Sequence, residues 1–282
     1  MNTKNEKKGK LKKRIIAELA VLFSFIACWM ISWIPVKESI TLDLSNDGTD
    51  ETTRVVLITD LHSCYYGPNQ NTLIRMTEKA NPDIVILSGD IFDDKVKSNN
   101  AEITVKRLAE MYPCFYVTGN HEFWSKRVDE IKDYLRSVNV HVLEGECETI
   151  EIRGRKIDVC GVDDPTQMKR SDWLAQLDRA YSGCDESHVK ILASHRPERV
   201  DIYEQYGFDL ILCGHTHAGQ IRIPFLNRGI YAPNQGLFPE YVSGAYQLKN
   251  GSTMVVSRGL ARESTPAPRF FNHPEIVVID IR

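Results

Sequence analysis

The sequence predicts an α/β domain of two β-sheets packed face to face and flanked by helices, preceded by one N-terminal transmembrane helix. Three observations predict it. β-rich apolar runs of four or five residues recur through residues 53–282. Unbroken runs of that length mark strands buried on both faces. Segments with helical spacing separate them, and an apolar stretch from Ile15 to Ile34 lies ahead of them all.

The N-terminal elements come first. Residues 1–14 hold seven Lys/Arg against one Glu. The apolar run that follows reaches roughly 30 Å as a helix, the thickness of a bilayer core. Positive charge stays on the cytoplasmic side. Residues 1–14 therefore read as a basic cytoplasmic leader and 15–34 as a single-pass anchor in the cell membrane. The rest of the chain is then expected on the extracytoplasmic face. Glu18 lies within one turn of the cytoplasmic edge and can snorkel out. Trp29 and Trp33 suit the far interface, and Pro35 stops the helix. Two alternatives compete. A cleaved signal peptide would want small residues before its cut site, and Ser32 to Val36 offers no usual pattern. A core helix apolar on all faces would be unusual in so small a domain.

Residues 35–52 are polar and carry the turn signal Asn46-Asp47-Gly48, so they read as a linker or edge hairpin. The domain proper spans 53–282. Its strand runs are Val55–Ile58, Ile84–Leu87, Cys114–Val117, Val189–Ala193 and Asp209–Cys213. Further runs lie at 148–153, 156–160, 253–257 and 276–281. Helical spacing marks 71–80, 101–111 and 126–138.

Composition narrows the function. Apolar residues at 42% and charged residues at 26% suit a globular protein and exclude a disordered chain, a collagen-like fibre or a polytopic membrane protein. The net charge of −3, with a basic leader, leaves an acidic body. That excludes a DNA-coating protein, and no stable nucleic-acid partner is expected. Seven scattered cysteines without a CxxC do not make a disulfide scaffold, although an outer location permits one or two bridges. Cys114 and Cys213 lie in strand runs and read as small buried hydrophobes.

Each main run ends in metal-ligand residues. After the first comes Asp60-Leu61-His62, after the second Gly89-Asp90-Ile91-Phe92-Asp93, after the third Gly119-Asn120-His121-Glu122. His195 follows the fourth, and Gly214-His215-Thr216-His217 the fifth. α/β sheets bind ligands beyond the carboxyl ends of their strands, where such loops converge. Asp, Asn and neutral His together suit divalent Mn, Fe or Zn. One Asp-x-His is weak evidence. Five such pieces, each after a strand, point to a pair of divalent ions. His141, His188 and His273 fall outside the blocks and read as surface or local hydrogen-bonding residues. Phe123 and Trp124 could stack on a base, meet lipid or simply pack their loop.

With these blocks in order, the sequence resembles the calcineurin-like metallophosphoesterases, whose pattern runs D-x-H, G-D-x-x-D, G-N-H-E/D, H and G-H-x-H. Ser194-His195-Arg196-Pro197-Glu198, Gly219-Gln220-Ile221-Arg222-Ile223-Pro224, Ala232-Pro233-Asn234-Gln235-Gly236 and Ser257-Arg258-Gly259-Leu260 resemble the membrane-anchored bacterial branch related to YkuE and YaeI. The resemblance implies a four-layer α/β/β/α sandwich with two divalent metal ions. It implies Asp60, His62, Asp90 and His217 around one ion, and Asp90 as bridge with Asn120, His195 and His215 around the other. It implies His121 as general acid, oriented by Asp93, against attack by a metal-bridging hydroxide.

One position departs from the family's phosphoprotein phosphatases. They carry an Arg directly after the second Asp of G-D-x-x-D, and here that residue is Asp94. This disfavours Ser/Thr-phosphoprotein phosphatase activity and favours diesters, which carry less charge. Arg196 and Arg222 are then candidate phosphate contacts. The expectation is a membrane-anchored phosphodiesterase, acting as a monomer on a phosphodiester or pyrophosphate, nucleotide or lipid-linked. A phosphomonoesterase and a metal-dependent binding module without turnover are the alternatives, and a DNA nuclease a weaker one.

Overall fold

The computed structural model describes residues 2–44, 51–223, 228–262 and 268–282. The Asn46-Asp47-Gly48 turn and Pro224 lie outside them. In chain order the elements are α1 (Asn2–Ile31), β1 (Val36–Leu42), β2 (Thr53–Ile58), α2 (Asn71–Ala80), β3 (Ile84–Ser88), α3 (Asn99–Ala109), β4 (Cys114–Val117), α4 (Asn120–Trp124), α5 (Val128–Ser137) and β5 (Val140–Val142). There follow β6 (Glu146–Ile152), β7 (Arg155–Gly161), α6 (Arg170–Ser182), β8 (Val189–Ala193), α7 (Val200–Tyr203), β9 (Leu210–Cys213), β10 (Tyr231–Ala232), β11 (Gly236–Leu237), β12 (Gly244–Gln247), β13 (Thr253–Val256) and β14 (Glu275–Ile281).

The first sheet has the order β1-β14-β2-β3-β4-β5 and the second β12-β13-β9-β8-β7-β6. Within the first, β2, β3, β4 and β5 run parallel, and within the second, β7, β8, β9 and β13. Side-chain alternation explains the unbroken apolar runs. Val55, Leu57, Ile84 and Ile86 face Val159, Ile191, Leu210 and Leu212 between the sheets. Val56, Ile58, Val85 and Leu87 turn the other way, onto the layer that contains Leu73, Val105 and Ile131 of α2, α3 and α5. The second sheet's outer residues Cys160, Leu192 and Ile211 pack with Trp173 and Leu177 of α6 and Tyr203 of α7. The result is the expected helix–sheet–sheet–helix stack. Cys114 and Cys213 are fully buried, as read.

Several elements differ from the sequence reading, the longest at the N-terminus and at α6. The stretch read as a linker or edge hairpin contributes β1, an edge strand paired in parallel with β14. Its residues are mostly exposed, so it offers no continuous apolar run. Helix α6 was not marked, because its buried residues Trp173, Gln176, Leu177 and Ala180 include a polar one. The basic leader is not separate from the apolar run but continues into it as one helix. Within that helix Leu11–Ile31 is long and apolar enough to cross a membrane.

Candidate metal centre at the strand ends

The five ligand blocks converge. Asp60 and His62 follow β2, Asp90 follows β3, Asn120 opens α4 after β4, His195 follows β8, and His215 and His217 follow β9. Three-residue groups bring ligand atoms within 4.8 Å of one another: Asp60, His62 and His217 in one, Asp90, His195 and His215 in another. Asp90 touches both groups, with Oδ2 3.6 Å from His62 Nε2 and 3.1 Å from His195 Nε2. Asp60 Oδ1 lies 3.8 Å from His217 Nε2 and 3.9 Å from His195 Nε2.

The backbone is strained where these side chains are presented. Asp60, His62, Asp90, His215 and His217 all have positive φ, between 46° and 70°. Non-glycine residues there cost about 1–3 kcal/mol each, and such strain gathers at functional sites. The room is made by glycine. A Cβ on Gly119 would collide with Asp90 Oδ1, and one on Gly214 with Asp60 Oδ2 and Thr59 Oγ1.

The residues fit divalent ions. His62 Nε2, His195 Nε2, His217 Nδ1 and Asn120 Oδ1 are buried and make no hydrogen bond. A buried polar atom without a partner is costly. Meanwhile the opposite nitrogens are fixed: His62 Nδ1 lies 2.9 Å from Asp93 Oδ2, and His195 Nδ1 lies 2.9 Å from the Ser88 carbonyl. Metal-ligating histidines are held in this way, with the second nitrogen on a carboxylate or carbonyl. With mixed nitrogen and oxygen donors the set suits Mn, Fe or Zn.

Asp93 and Asp94 both face His121. Asp93 Oδ2 is 3.4 Å from His121 Nδ1 and closer to His62. His121 Nδ1 instead stands 2.7 Å from Asp94 Oδ1. Asp94 follows Asp93 directly in the loop after β3, so both carboxylates reach the two rings. Burial opposes charge on His121, but Asp93, Asp90 and Asp94 outweigh it and raise its pKa to about 9.

Arg196 is buried, and a guanidinium has five N–H donors. Asp164 takes two, at 2.5 and 3.0 Å, and Thr166 one. The last two point to Asn234 Oδ1 and His215 Nε2, at 2.7 and 2.9 Å. Nη1 of Arg196 and Nε2 of His215 both lie within hydrogen-bond distance of Asn234 Oδ1, so Arg196 and Asn234 sit together against the His215 ring. Arg222 donates to Ser243.

Several supporting residues carried no sequence signal of their own. Glu122 is fully buried, and its carboxylate accepts N–H bonds from Asp90, Ile91, Phe92 and Gly119. It thereby locks the loops after β3 and β4 together. Burial and the Asp90 charge push its pKa up to about 7, with the N–H groups of Phe92 and Gly119 opposing. Asp164, in the Val162-Asp163-Asp164 segment after β7, holds Arg196. Arg269 donates to the carbonyls of Arg258, Gly259 and Ala261. That braces the loop whose Leu260 N–H bonds Thr59 and Asp60 carbonyls. The signal available for Glu122 was its fixed place in the Gly119–Glu122 block; Asp164 and Arg269 had none.

Comparison with known proteins decides the family. Residues 53–219 match the model of the calcineurin-like phosphoesterases. The chain belongs to that family. Among its metallophosphoesterase relatives is one from Helicobacter pylori strain J99. It is 30% identical over 237 residues, covering 83% of this chain and 60% of the relative. This chain thus spans well under two thirds of that relative's length. YkuE of Bacillus subtilis, also named a metallophosphoesterase, is 28% identical over 81% of this chain and 79% of its own. The Haemophilus influenzae NAD nucleotidase NadN shares the fold, with a TM-score of 0.50 at 15% identity over 75% of this chain and 46% of NadN. The phosphoesterase domain is a metal-dependent hydrolase domain, and the ligand groups at its strand ends are its candidate metal centre.

Proposed function

We propose that the protein is a membrane-anchored phosphodiesterase with a dinuclear metal centre. The observation that carries this reading is the pair of ligand groups with Asp90 between them, together with the unbonded His62 Nε2, His195 Nε2 and Asn120 Oδ1. In this reading Asp60, His62, Asp90 and His217 hold one divalent ion, and Asp90, Asn120, His195 and His215 the other. Two bound ions would supply Lewis acidity, lowering the pKa of bound water and neutralising phosphoryl oxygens. The protein supplies the rest. Asp93 and Ser88 fix the tautomers of His62 and His195. Arg196 and Asn234 hold the His215 ring. His121, 17% exposed and held toward its charged form by Asp93 and Asp94, gives its proton to the leaving oxygen.

Asp94 supports diesters over monoesters. A diester carries one charge where a monoester carries up to two. A carboxylate at the mouth opposes each further negative charge by roughly 1–4 kcal/mol at about 4 Å. The helix Leu11–Ile31 supports the anchor.

The test strips the purified protein of metal and restores Mn, Zn or Fe singly. Hydrolysis of bis(p-nitrophenyl) phosphate and p-nitrophenyl phosphate is then compared. The reading expects metal-restored diester cleavage, with Asp94→Ala moving the preference toward monoester. A wild-type preference for the monoester would make the protein a phosphomonoesterase. Metal binding without turnover of either would make it a binding module.

A further inference from the structure

We propose that the mouth of the metal centre is a bilayer-docking rim and that the phosphoester reaching it is carried by a lipid. The substrate half of this rests on the phosphodiesterase reading above, and the docking half on the anchor reading.

The domain's exposed apolar side chains are not scattered. Beyond Ile34, eight large apolar residues are exposed among the described residues, and all but Met111 lie on segments bordering the site. One flank is the β10–β11 hairpin. Asn234 in its turn lies 2.9 Å from His215 Nε2, at the ligand group. Tyr231 and Leu237 pair across the same hairpin and are 55% and 69% exposed. Phe238, 60% exposed, is tied by its N–H to the Ile230 carbonyl. The other flank is Trp124, half exposed, whose ring lies 4.7 Å from that of His121. Exposed apolar clusters of this kind mark interaction surfaces, and nothing else in a monomer's surface requires them.

The hairpin flank is joined to the apolar helix, and the Tyr65 loop to the segment just after it. Phe270 packs on Phe25 of α1 at 4.3 Å between rings, and bridges to Ile221, whose carbonyl accepts from Ile230 of the hairpin flank. On the other side Arg262 lies over the Trp33 ring at 5.4 Å and donates to the carbonyls of Trp33 and Tyr65. His273 Nδ1 lies 3.0 Å from the Ile34 carbonyl. Phe25 sits six residues before the end of α1, so its contact with Phe270 lies about 9 Å inside the helix end. Apolar faces of interfacial proteins sink about 5–10 Å into the headgroup boundary. A helix that spans the bilayer therefore holds Phe270, and the rim beside it, at that depth. This contact is what selects a bilayer as the occupant over a second copy or a soluble apolar partner.

The reaction needs only water. Its oxygen joins phosphorus, the P–O bond to the leaving alcohol breaks, and the proton ends on that alcohol's oxygen. A lipid phosphodiester held by its chains in the leaflet would present its phosphate to His121 and the ligand groups across the rim.

The experiment uses the full chain with its bound metal, reconstituted in phosphatidylcholine vesicles. A Leu237→Trp variant is made in vesicles with plain or brominated acyl chains. The expected result is quenching of the added emission by bromolipid, with little effect of aqueous acrylamide. A Leu237→Ser, Phe238→Ser pair is expected to lower the ratio of headgroup-labelled phosphatidylethanolamine cleavage to bis(p-nitrophenyl) phosphate cleavage at least about tenfold. Acrylamide quenching without bromolipid quenching overturns the docking rim. Protection from both quenchers, with a dimer by size, overturns it in favour of a second copy. An unchanged ratio overturns the lipid substrate. Bromolipid quenching in a protein that cleaves neither diester removes the phosphodiesterase reading and leaves the docking rim standing.

Discussion

The two sheets bring different chemistry to one site. Loops of the first sheet supply Asp60, Asp90, Asn120 and a single ligand imidazole, His62; loops of the second supply only imidazoles, His195, His215 and His217. Their bracing differs as well. On the first sheet a single carboxylate, Glu122, collects four backbone N–H groups. On the second a side-chain relay, Asp164 to Arg196 to His215 and Asn234, does the holding. Backbone donors fix the path of a loop, whereas a side-chain relay fixes the rotation of one ring. The carboxylate half sets where charge is concentrated, and the imidazole half sets how it is directed.

Four substitutions break or sharpen this contrast. Asp90→Ala, which removes the residue shared by both groups, is expected to lower kcat/KM by at least ~10⁴-fold, because the whole contribution of bound metal goes with it. Metal content by mass spectrometry should fall with it; retained stoichiometry would deny Asp90 the bridging place. His121→Asn should leave metal content intact and cost roughly 10²–10⁴ in kcat. The wild-type rate should decline on the alkaline side as His121 loses its proton, and the variant should lack that limb. An identical pH profile in the variant would assign the proton to another group.

Arg196→Lys tests the imidazole half. Lysine cannot fork onto Asp164 while reaching His215, so metal affinity should weaken about 10–100-fold, as loss of an outer partner does. Competition with a chelator measures it, and unchanged affinity would show that the ring holds itself. Glu122→Gln has the smallest expected effect on chemistry and tests the carboxylate half. Replacing one acceptor oxygen with a donor faces N–H against N–H, costing about 1–3 kcal/mol, or roughly 2–12 °C in Tm. A calorimetric Tm equal to wild type would remove Glu122 as the loop clamp.

Much of this was legible in the sequence, for one physical reason. Strands buried on both faces read as unbroken apolar runs, and each run handed its chain to a ligand block. β1 was harder to read because an exposed edge strand needs no such run. The ligands were readable by residue type, but their bracing was not. Asp94, Asp164 and Arg196 acquire roles only through loops that are distant in sequence. Arg196 read as a phosphate contact because its neighbour is His195; the fold adds partners in Asp164, Thr166 and Asn234. Cys147, Cys160 and Cys184 gave no spacing signal, yet their sulfurs gather within 4.8 Å on the outer side of the second sheet. His141, His188 and His273 have the local partners expected of them, Glu148, Asp158 and the Ile34 carbonyl.

The position of β14 has a consequence in time. It sits between β1 and β2, and its Val277 pairs with Leu57, 220 residues earlier. While the ribosome is still making the second sheet, β1 has no neighbour, and β2 lacks one of its two. The helix ahead of them can enter a membrane early, but β2, which leads into Asp60, gains its second neighbour only once β14 has been made. Contacts so far apart in sequence form slowly. The candidate metal centre therefore stays backed by an incomplete sheet until β14 is in place, and a chain cut short before Glu275 would have lost the strand that joins β1 to β2.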